Sequence, residues 1–256
     1  MYSLFYLSFL FLIPWIGTSL GSFGVFFLKK ELNSKIEKFI LGFSSGVMFA
    51  ALVWSLLLPA IERDGYIASS FGFMLGILFL LVIDNFTPHL HFGSDQAEGV
   101  KSKLGKSSLL IIAIILHNIP EGLAVGSSAG AFAFYSDSIS FSTVIALSLG
   151  IALQNIPEGL VVSLPLYQAG KSKFKAFLSG SLSGIVEPIA SFIAYFIIGE
   201  MVSILSYLLA FAAGAMFYVV IEDLVPETAK GEHSNLGVLG SALGFVIMMI
   251  LDGVFS

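Results

Sequence analysis

The sequence Asn-Ile-Pro-Glu-Gly occurs twice in this chain, at residues 118–122 and again at residues 155–159. Each copy places a carboxylate, Glu121 or Glu158, in a long apolar segment that has almost no other ionisable residue. A charged side chain at the centre of a bilayer costs about 2.5–3.5 kcal/mol even on the mildest insertion scale, so a carboxylate there indicates a function. The proline of each copy also frees a backbone carbonyl oxygen, because it has no N–H to donate. The two copies therefore predict a polar site inside an apolar protein.

A metal ion is the partner that the spacing around these carboxylates favours. The apolar segments around them contain no Lys or Arg, so a proton or a metal cation must neutralise them. His117 lies four residues before Glu121, and Gln154 lies four residues before Glu158. That spacing places each pair on one face of a helix. Two pairs of nitrogen and oxygen ligands near mid-membrane predict a metal site.

Two further side chains are predicted to lie at the same depth. Glu187 precedes Pro188 in another apolar segment and supplies a third carboxylate. Met48 could supply a thioether ligand, although packing is the usual role of a methionine in an apolar helix. We expect Glu187 at the metal site and leave both roles open for Met48.

The composition identifies the class of protein. Hydrophobic residues make up 57% of the chain, charged residues make up 11%, and the mean hydropathy is +0.95, values typical of a polytopic membrane protein. The chain, 1–256, is predicted to form one all-α transmembrane transporter domain, and its first apolar run is predicted to be a retained helix rather than a cleaved signal. Apolar runs near 20 residues predict eight membrane spans: Leu4–Leu28, Phe39–Ile61, Ile67–Asn85, Ser108–Gly130, Ser140–Leu166, Lys175–Gly199, Val202–Leu224 and Leu236–Phe255.

The distribution of basic residues predicts the orientation of these spans. Of the 12 basic residues, all except Arg63 follow spans 1, 3, 5 or 7. The positive-inside rule makes that side cytoplasmic and places both termini outside. Spans 4 and 5 are then antiparallel, so the two motifs meet in opposite directions, as in inverted-repeat transporters. No basic patch with interleaved aromatic residues suggests nucleic-acid binding.

At this point the chain resembles a known family. The His-Asn-x-Pro-Glu-Gly segment at 117–122, the Gln-Asn-x-Pro-Glu-Gly segment at 154–159, the later Glu-Pro pair and the eight spans resemble the ZIP family of divalent-metal transporters. Gln154 in place of a histidine is similar to the GufA-type prokaryotic branch. The resemblance implies a binuclear centre with Glu121 and Glu158 as bridging ligands. It assigns one ion to His117, Glu121, Gln154 and Glu158, and a second ion to Asn118, Asn155, Glu187 and Met48. Some relatives have aspartate at the position of Asn155, so the second site here has one negative charge fewer.

Residues near the span ends are candidates for the entrance and exit of the ion. By the same resemblance, Glu62 and Asp252 would recruit cations on the outer side, and solvated helix ends remain the alternative for both. On the inner side the candidates are Asp84, His89, His91, Glu222 and Asp223. The family more usually has a histidine at the position of Glu222.

The predicted function is transport of a divalent metal. Imidazole, amide and carboxylate ligands suit Zn²⁺ or its first-row neighbours better than Mg²⁺ or Ca²⁺. We expect a carrier rather than an enzyme. The carrier would move Zn²⁺ into the cytoplasm across an inner or plasma membrane by alternating access, without an organic cofactor. Fe²⁺, Mn²⁺, Co²⁺ and Cd²⁺ are further candidate substrates, and a homodimer stays an open alternative. An intramembrane metal-dependent hydrolase and a proton-coupled carrier of an organic solute are the rival functions.

Overall fold

The computed structural model describes residues 4–28, 33–90, 99–135, 139–230 and 234–255. These ranges form helices and contain no β-strand. Two π-helical segments interrupt the helices, Leu52–Leu57 between α2 and α3 and Val220–Leu224 between α8 and α9. The helices are α1 (Leu4–Phe23), α2 (Ser34–Ala51), α3 (Leu58–Phe86), α4 (Lys106–Phe134), α5 (Phe141–Gln168), α6 (Lys173–Ser183), α7 (Val186–Glu200), α8 (Leu205–Val219), α9 (Val225–Ala229) and α10 (Leu236–Phe255).

Seven stretches in the described part of the chain are long and apolar enough to cross a membrane. The chain is therefore a multi-pass membrane protein. The stretch 34–86 contains 53 residues, which corresponds to about 80 Å of helix against a hydrocarbon core of about 30 Å. Gly65 interrupts it with a φ of +83°, a backbone conformation that favours glycine. The predicted spans 2 and 3 lie on either side of this break.

The four closest helix pairs fall into two groups, which also touch each other where α4 meets α8 and where α2 meets α5. The first, which we call the motif group, consists of α1, α4, α5, α6 and α7, and its closest pairs are α1 with α5 and α4 with α7. The second, which we call the frame group, consists of α2, α3, α8, α9 and α10, and its closest pairs are α2 with α10 and α3 with α8. Both predicted metal-binding motifs lie in the motif group.

Glycines allow the helices of each group to touch through their backbones. A Cβ atom on Gly17 of α1 would overlap the backbone of Ala152 on α5, and one on Gly76 of α3 would overlap the backbone of Phe211 on α8. Small residues commonly permit such close approach between membrane helices. Gly150 of α5 instead faces the flexible side chain of Met248 on α10, across the boundary between the groups. The glycine contacts inside each group are thus with backbone atoms, whereas this contact across the boundary is with a side chain.

The predicted sixth span lies within the apolar stretch Lys173–Glu200, in which a short break separates α6 from α7. Pro188 has no N–H with which to continue the helical ladder to Gly184. The N–H of Glu187 donates to the carbonyl oxygen of Gly184 instead, at 3.0 Å. Glu187 consequently lies in the first turn of α7, where the positive end of the helix dipole stabilises a carboxylate.

Candidate metal centre

Helices α4, α5 and α7 bring six of the predicted ligands into the interior of the motif group. The contacts between α4 and α7 and between α5 and α4 place the two motif copies and Glu187 side by side. The least buried of the six has 7% of its surface exposed. The six are Asn118, Glu121, Gln154, Asn155, Glu158 and Glu187.

Hydrogen bonds between helices join these side chains in pairs. The Gln154 amide on α5 donates to Glu121 Oε1 on α4 at 2.7 Å. The Asn118 amide on α4 donates to Glu187 Oε1 on α7, also at 2.7 Å. Each amide therefore gives its N–H group to a carboxylate and keeps its own oxygen for another partner.

Several buried oxygen atoms at this centre accept no hydrogen bond from any described residue. Leaving one buried polar atom unsatisfied costs about 1–3 kcal/mol, so a cluster of them requires an explanation. All the atoms concerned are acceptors, so a bound cation or additional hydrogen-bond donors would satisfy them. They are Asn118 Oδ1, Glu121 Oε2, Gln154 Oε1, Asn155 Oδ1 and Glu187 Oε2.

The centre is not a ready-made set of three strong ligands. Within the ranges that the structure describes, no group of three or more His, Asp or Glu side chains is arranged to hold a metal ion. Without a cation between them, three carboxylates repel one another, so their side chains tend to stay apart. A cation bound here would use amide oxygens as well as carboxylates.

Two hydroxyl groups that the sequence did not single out also reach the centre. Thr18 of α1 donates to Glu187 Oε1 at 3.0 Å, and Ser44 of α2 donates to Glu158 Oε1 at 3.2 Å. Serine and threonine in apolar helices often bond to their own backbone, as Thr18 also does with the carbonyl of Pro14 at 3.4 Å. Their role at the centre therefore left no signal in the sequence.

His117 faces an acidic residue from the frame group. Its Nε2 atom lies 3.1 Å from Oδ2 of Asp223. Asp223 belongs to the π-helical segment between α8 and α9, and π-helical turns occur frequently at functional sites. The sequence placed Asp223 on the exit route, and the structure places it in contact with a predicted ligand.

A narrow cavity leads from the centre to the lysine-rich end of the molecule. It has a volume of about 40 Å³, and its lining includes His117, Glu158, Asp223 and Glu227. One water molecule needs about 10–15 Å³ by this measure, so the cavity has room for about three. We call it the inner cavity.

A larger cavity of about 530 Å³ opens at the opposite end, and we call it the outer cavity. Glu62, Arg63 and Asp252 line it, and none of the predicted ligands does. Asp252 is 8% exposed and accepts a hydrogen bond from Ser55 at 2.7 Å, so it is not a solvated helix end. Glu62 is exposed.

Four of the remaining predicted residues lie in the described part of the chain, namely Asp84, His89, Glu222 and Met48. His89 is 1% exposed, with Nε2 at 3.1 Å from Asp84 Oδ1 and Nδ1 at 2.8 Å from the carbonyl oxygen of Thr87. Both ring nitrogens are thus engaged with protein oxygens in this structure. Glu222 is exposed, Met48 is buried in the apolar core, and His91 lies outside the described residues.

The chain has clear relatives among known proteins. The family model described as ZIP zinc transporter matches residues 94–252, more than half of the chain. The zinc transporter ZIP11 of Homo sapiens is 37% identical over 83% of this chain and 86% of its own length. The zinc transporter GufA of Myxococcus xanthus is 34% identical over 94% of this chain and 95% of its own length. The zinc transporter ZIPB of Bordetella bronchiseptica is 32% identical over 92% of this chain and 77% of its own length.

Proposed function

This chain belongs to the ZIP zinc transporter family, and from that premise we propose that it carries Zn²⁺ into the cytoplasm through the centre between α4, α5 and α7. As a member of a transporter family it is not an enzyme, which removes the hydrolase from consideration. Fe²⁺, Mn²⁺, Co²⁺ and Cd²⁺ are proposed as further substrates. The metal is the substrate, and no organic cofactor takes part.

The cluster of buried acceptor oxygens carries this proposal. Five oxygen atoms from α4, α5 and α7 accept no hydrogen bond from the described residues, and three of the residues involved are amides that already use their N–H groups. Residues 107–170, which contain both motifs, have no Lys or Arg. A divalent cation satisfies these oxygens and balances the carboxylates together, which an organic solute would do less directly.

The hydrogen-bonded pairs support two neighbouring ion positions. Gln154 and Glu121 form one pair, while Asn118 and Glu187 form the other. We assign the first ion to His117, Glu121, Gln154 and Glu158, and the second to Asn118, Asn155, Glu187 and Met48, with Glu121 and Glu158 shared. Because Asn155 is neutral, the second position should bind the weaker of the two ions.

The proposed topology has eight spans with both termini outside. The break at Gly65 divides the stretch 34–86 into two parts with different partners: the first contains α2, which pairs with α10, and the second contains the part of α3 in which Gly72 and Gly76 contact α8. The inner cavity lies at the end where α4 begins at Lys106 and where Lys230 follows α9. Lysine-rich ends of membrane proteins are cytoplasmic, so we place the inner cavity at the cytoplasmic face of an inner or plasma membrane.

The route of the ion follows from the two cavities. Glu62 and Asp252 in the outer cavity would attract the ion, while Asp223 and Glu227 in the inner cavity would receive it from His117 and Glu158. Asp84, His89 and Glu222 would act later on the exit side. His117 and Glu158 of the centre line the inner cavity, whereas no predicted metal ligand lines the outer cavity, so we propose that delivery from outside requires the motif group to move relative to the frame group.

Uptake of ⁶⁵Zn into proteoliposomes that contain the purified protein tests this function. We expect uptake above that of empty liposomes, competition by the other first-row divalent ions, and weaker competition by Mg²⁺. Equilibrium dialysis should find zinc bound in stoichiometric amounts, and Glu121→Ala should lose it. A protein that binds no zinc, or an organic solute that is carried with zinc absent, would refute the assignment.

A further inference from the structure

Two polar contacts next to the metal centre join the motif group to the frame group. One is the approach of His117 to Asp223 described above. The other belongs to Ser44 of α2, whose hydroxyl lies 3.1 Å from the carbonyl oxygen of Gln154 and 3.2 Å from Glu158 Oε1. Ser44 thus touches two of the predicted metal-binding positions, although it lies on a helix that carries neither motif.

Ser44 is suited to a strong interaction with Glu158. Its side chain is fully buried, and Glu158 is 7% exposed, so little water competes for the bond. The acceptor is a buried carboxyl oxygen, and a buried acceptor that loses its donor is left unsatisfied at a cost in free energy. The two acceptor oxygens share the single hydroxyl hydrogen of Ser44, so the hydroxyl group lies between α2 and the second motif copy.

The position of this bond depends on the alignment of the two groups. The close backbone contacts of α2 are with α10 in its own group, where a Cβ on Gly42 would overlap Gly237 and one on Gly46 would overlap Ser241. Across the boundary, α5 meets α10 through the flexible side chain of Met248. A displacement of α5 by one helical turn, about 5.4 Å, would remove both acceptors from reach of Ser44.

We propose that Ser44 is a positioning residue that holds the Glu158 carboxylate at the centre and, by the same bond, holds the empty carrier in the arrangement that opens to the inner cavity. The role rests on the proposed transport function. Movement of the motif group toward the outer cavity must break the bond. Ser44 therefore sets how often the empty carrier leaves the inner arrangement.

The neighbouring residue supplies a matched control. Ser45 is also buried, at 1% exposure, and also makes hydrogen bonds. Its hydroxyl bonds to Ser241 on α10 at 2.8 Å and to the carbonyl oxygen of Gly42 at 2.8 Å, both inside the frame group. Ser44→Ala and Ser45→Ala thus remove the same atom from adjacent positions of one helix, and only the first removes a bond between the groups.

Labelling of single cysteines measures the arrangement directly, since the chain has no native cysteine. Ile151→Cys reports the outer route, because Ile151 is fully buried on α5 between the centre and the outer cavity. Val161→Cys reports the inner route, because Val161 lines the inner cavity. Each reporter is placed in native, Ser44→Ala and Ser45→Ala backgrounds, in lipid nanodiscs without metal, and labelled with a water-soluble maleimide.

We expect Ser44→Ala to speed labelling of the outer reporter about three- to tenfold, the effect of one lost hydrogen bond, and to slow labelling of the inner reporter. Ser45→Ala should leave both rates within about twofold. Unchanged rates in Ser44→Ala, faster labelling of both reporters together, or the same shift in Ser45→Ala would overturn the role of Ser44. Zinc binding to the native protein is measured separately, and its absence would refute the transport function without affecting the comparison made in metal-free nanodiscs.

Discussion

The two copies of Asn-Ile-Pro-Glu-Gly are identical in sequence and occupy different surroundings. Gly122 of the first copy packs against the backbone of Glu187, whereas Gly159 of the second packs against the backbone of Thr18. Glu121 is fully buried and bonded to an amide, while Glu158 lines the inner cavity and is bonded to a hydroxyl. The repeat therefore supplies one carboxyl group that is sealed in the protein and one that faces the inner cavity.

The largest expected effect is the loss of either carboxylate, and here the two copies should behave alike. Under the proposed ligation, Glu121→Gln and Glu158→Gln would each remove a charge that both ions share, so we expect ⁶⁵Zn uptake to fall by at least about 100-fold. Glu200→Gln, at the exposed end of α7, is the control and should leave uptake unchanged. Substantial uptake by either centre variant would contradict the shared ligation.

Replacement of the motif glycines should separate the copies by their neighbours. Gly122→Ala and Gly159→Ala each introduce a methyl group against backbone atoms that cannot easily move, so we expect about 1–3 kcal/mol of destabilisation and a lower Tm. Only Gly122→Ala should also weaken zinc binding markedly, because it displaces the segment that carries Glu187. Gly253→Ala on α10 meets no atom within 4 Å and should be neutral. Equal loss of zinc affinity in both copies would contradict this difference.

A negative charge added at the proposed second ion position should strengthen zinc binding there. Asn155→Asp places a carboxylate where the structure has a buried amide oxygen without a described partner. We expect the weaker zinc-binding step to tighten about tenfold, since a charge near a buried cation gains several kcal/mol before desolvation is subtracted. Isothermal titration calorimetry on the native and variant proteins measures both steps. An unchanged second step would show that Asn155 lies outside the ligand set.

The smallest expected effect concerns the first position of the extended motifs, which is His117 in one copy and Gln154 in the other. Zinc must displace protons from its ligands, so its affinity should weaken as the pH falls from about 8 to 5.5. His117→Gln makes the first copy match Gln154, and we expect it to lower zinc affinity a few-fold, because an amide oxygen is a weaker zinc ligand than an imidazole nitrogen. High salt should not remove the pH dependence, since buried competition is poorly screened. A zinc affinity of His117→Gln equal to that of the native protein would exclude His117 as a ligand.

The sequence was informative wherever local chemistry decided the structure. The paired motifs, the absence of bases around them and the apolar runs predicted a multi-pass membrane protein of the ZIP family, and both predictions are confirmed. The position of Glu187 was predicted from its neighbour Pro188, but the same proline also breaks the span into α6 and α7, which was not predicted.

Contacts between distant helices could not be predicted in the same way. Ser44 and Thr18 are small polar residues in apolar helices, and only the packing of α2 and α1 against the motif group directs them to the centre. Asp223 was predicted at the exit because it lies near the end of a span. Its contact with His117 depends on the extra residue of a π-helical turn, which apolar periodicity does not reveal.

The amide groups of Gln154 and Asn118 have a consequence for speed as well as for affinity. Each is already held in place by the bond between its N–H group and a carboxylate, with its oxygen left for another partner. An arriving ion would not have to wait for these side chains to rotate, and little conformational entropy would be lost when it binds. Neutral oxygen donors also hold the ion less tightly than thiolates would. A preorganised set of modest ligands favours rapid loading and rapid unloading, which matter more to a carrier than tight retention.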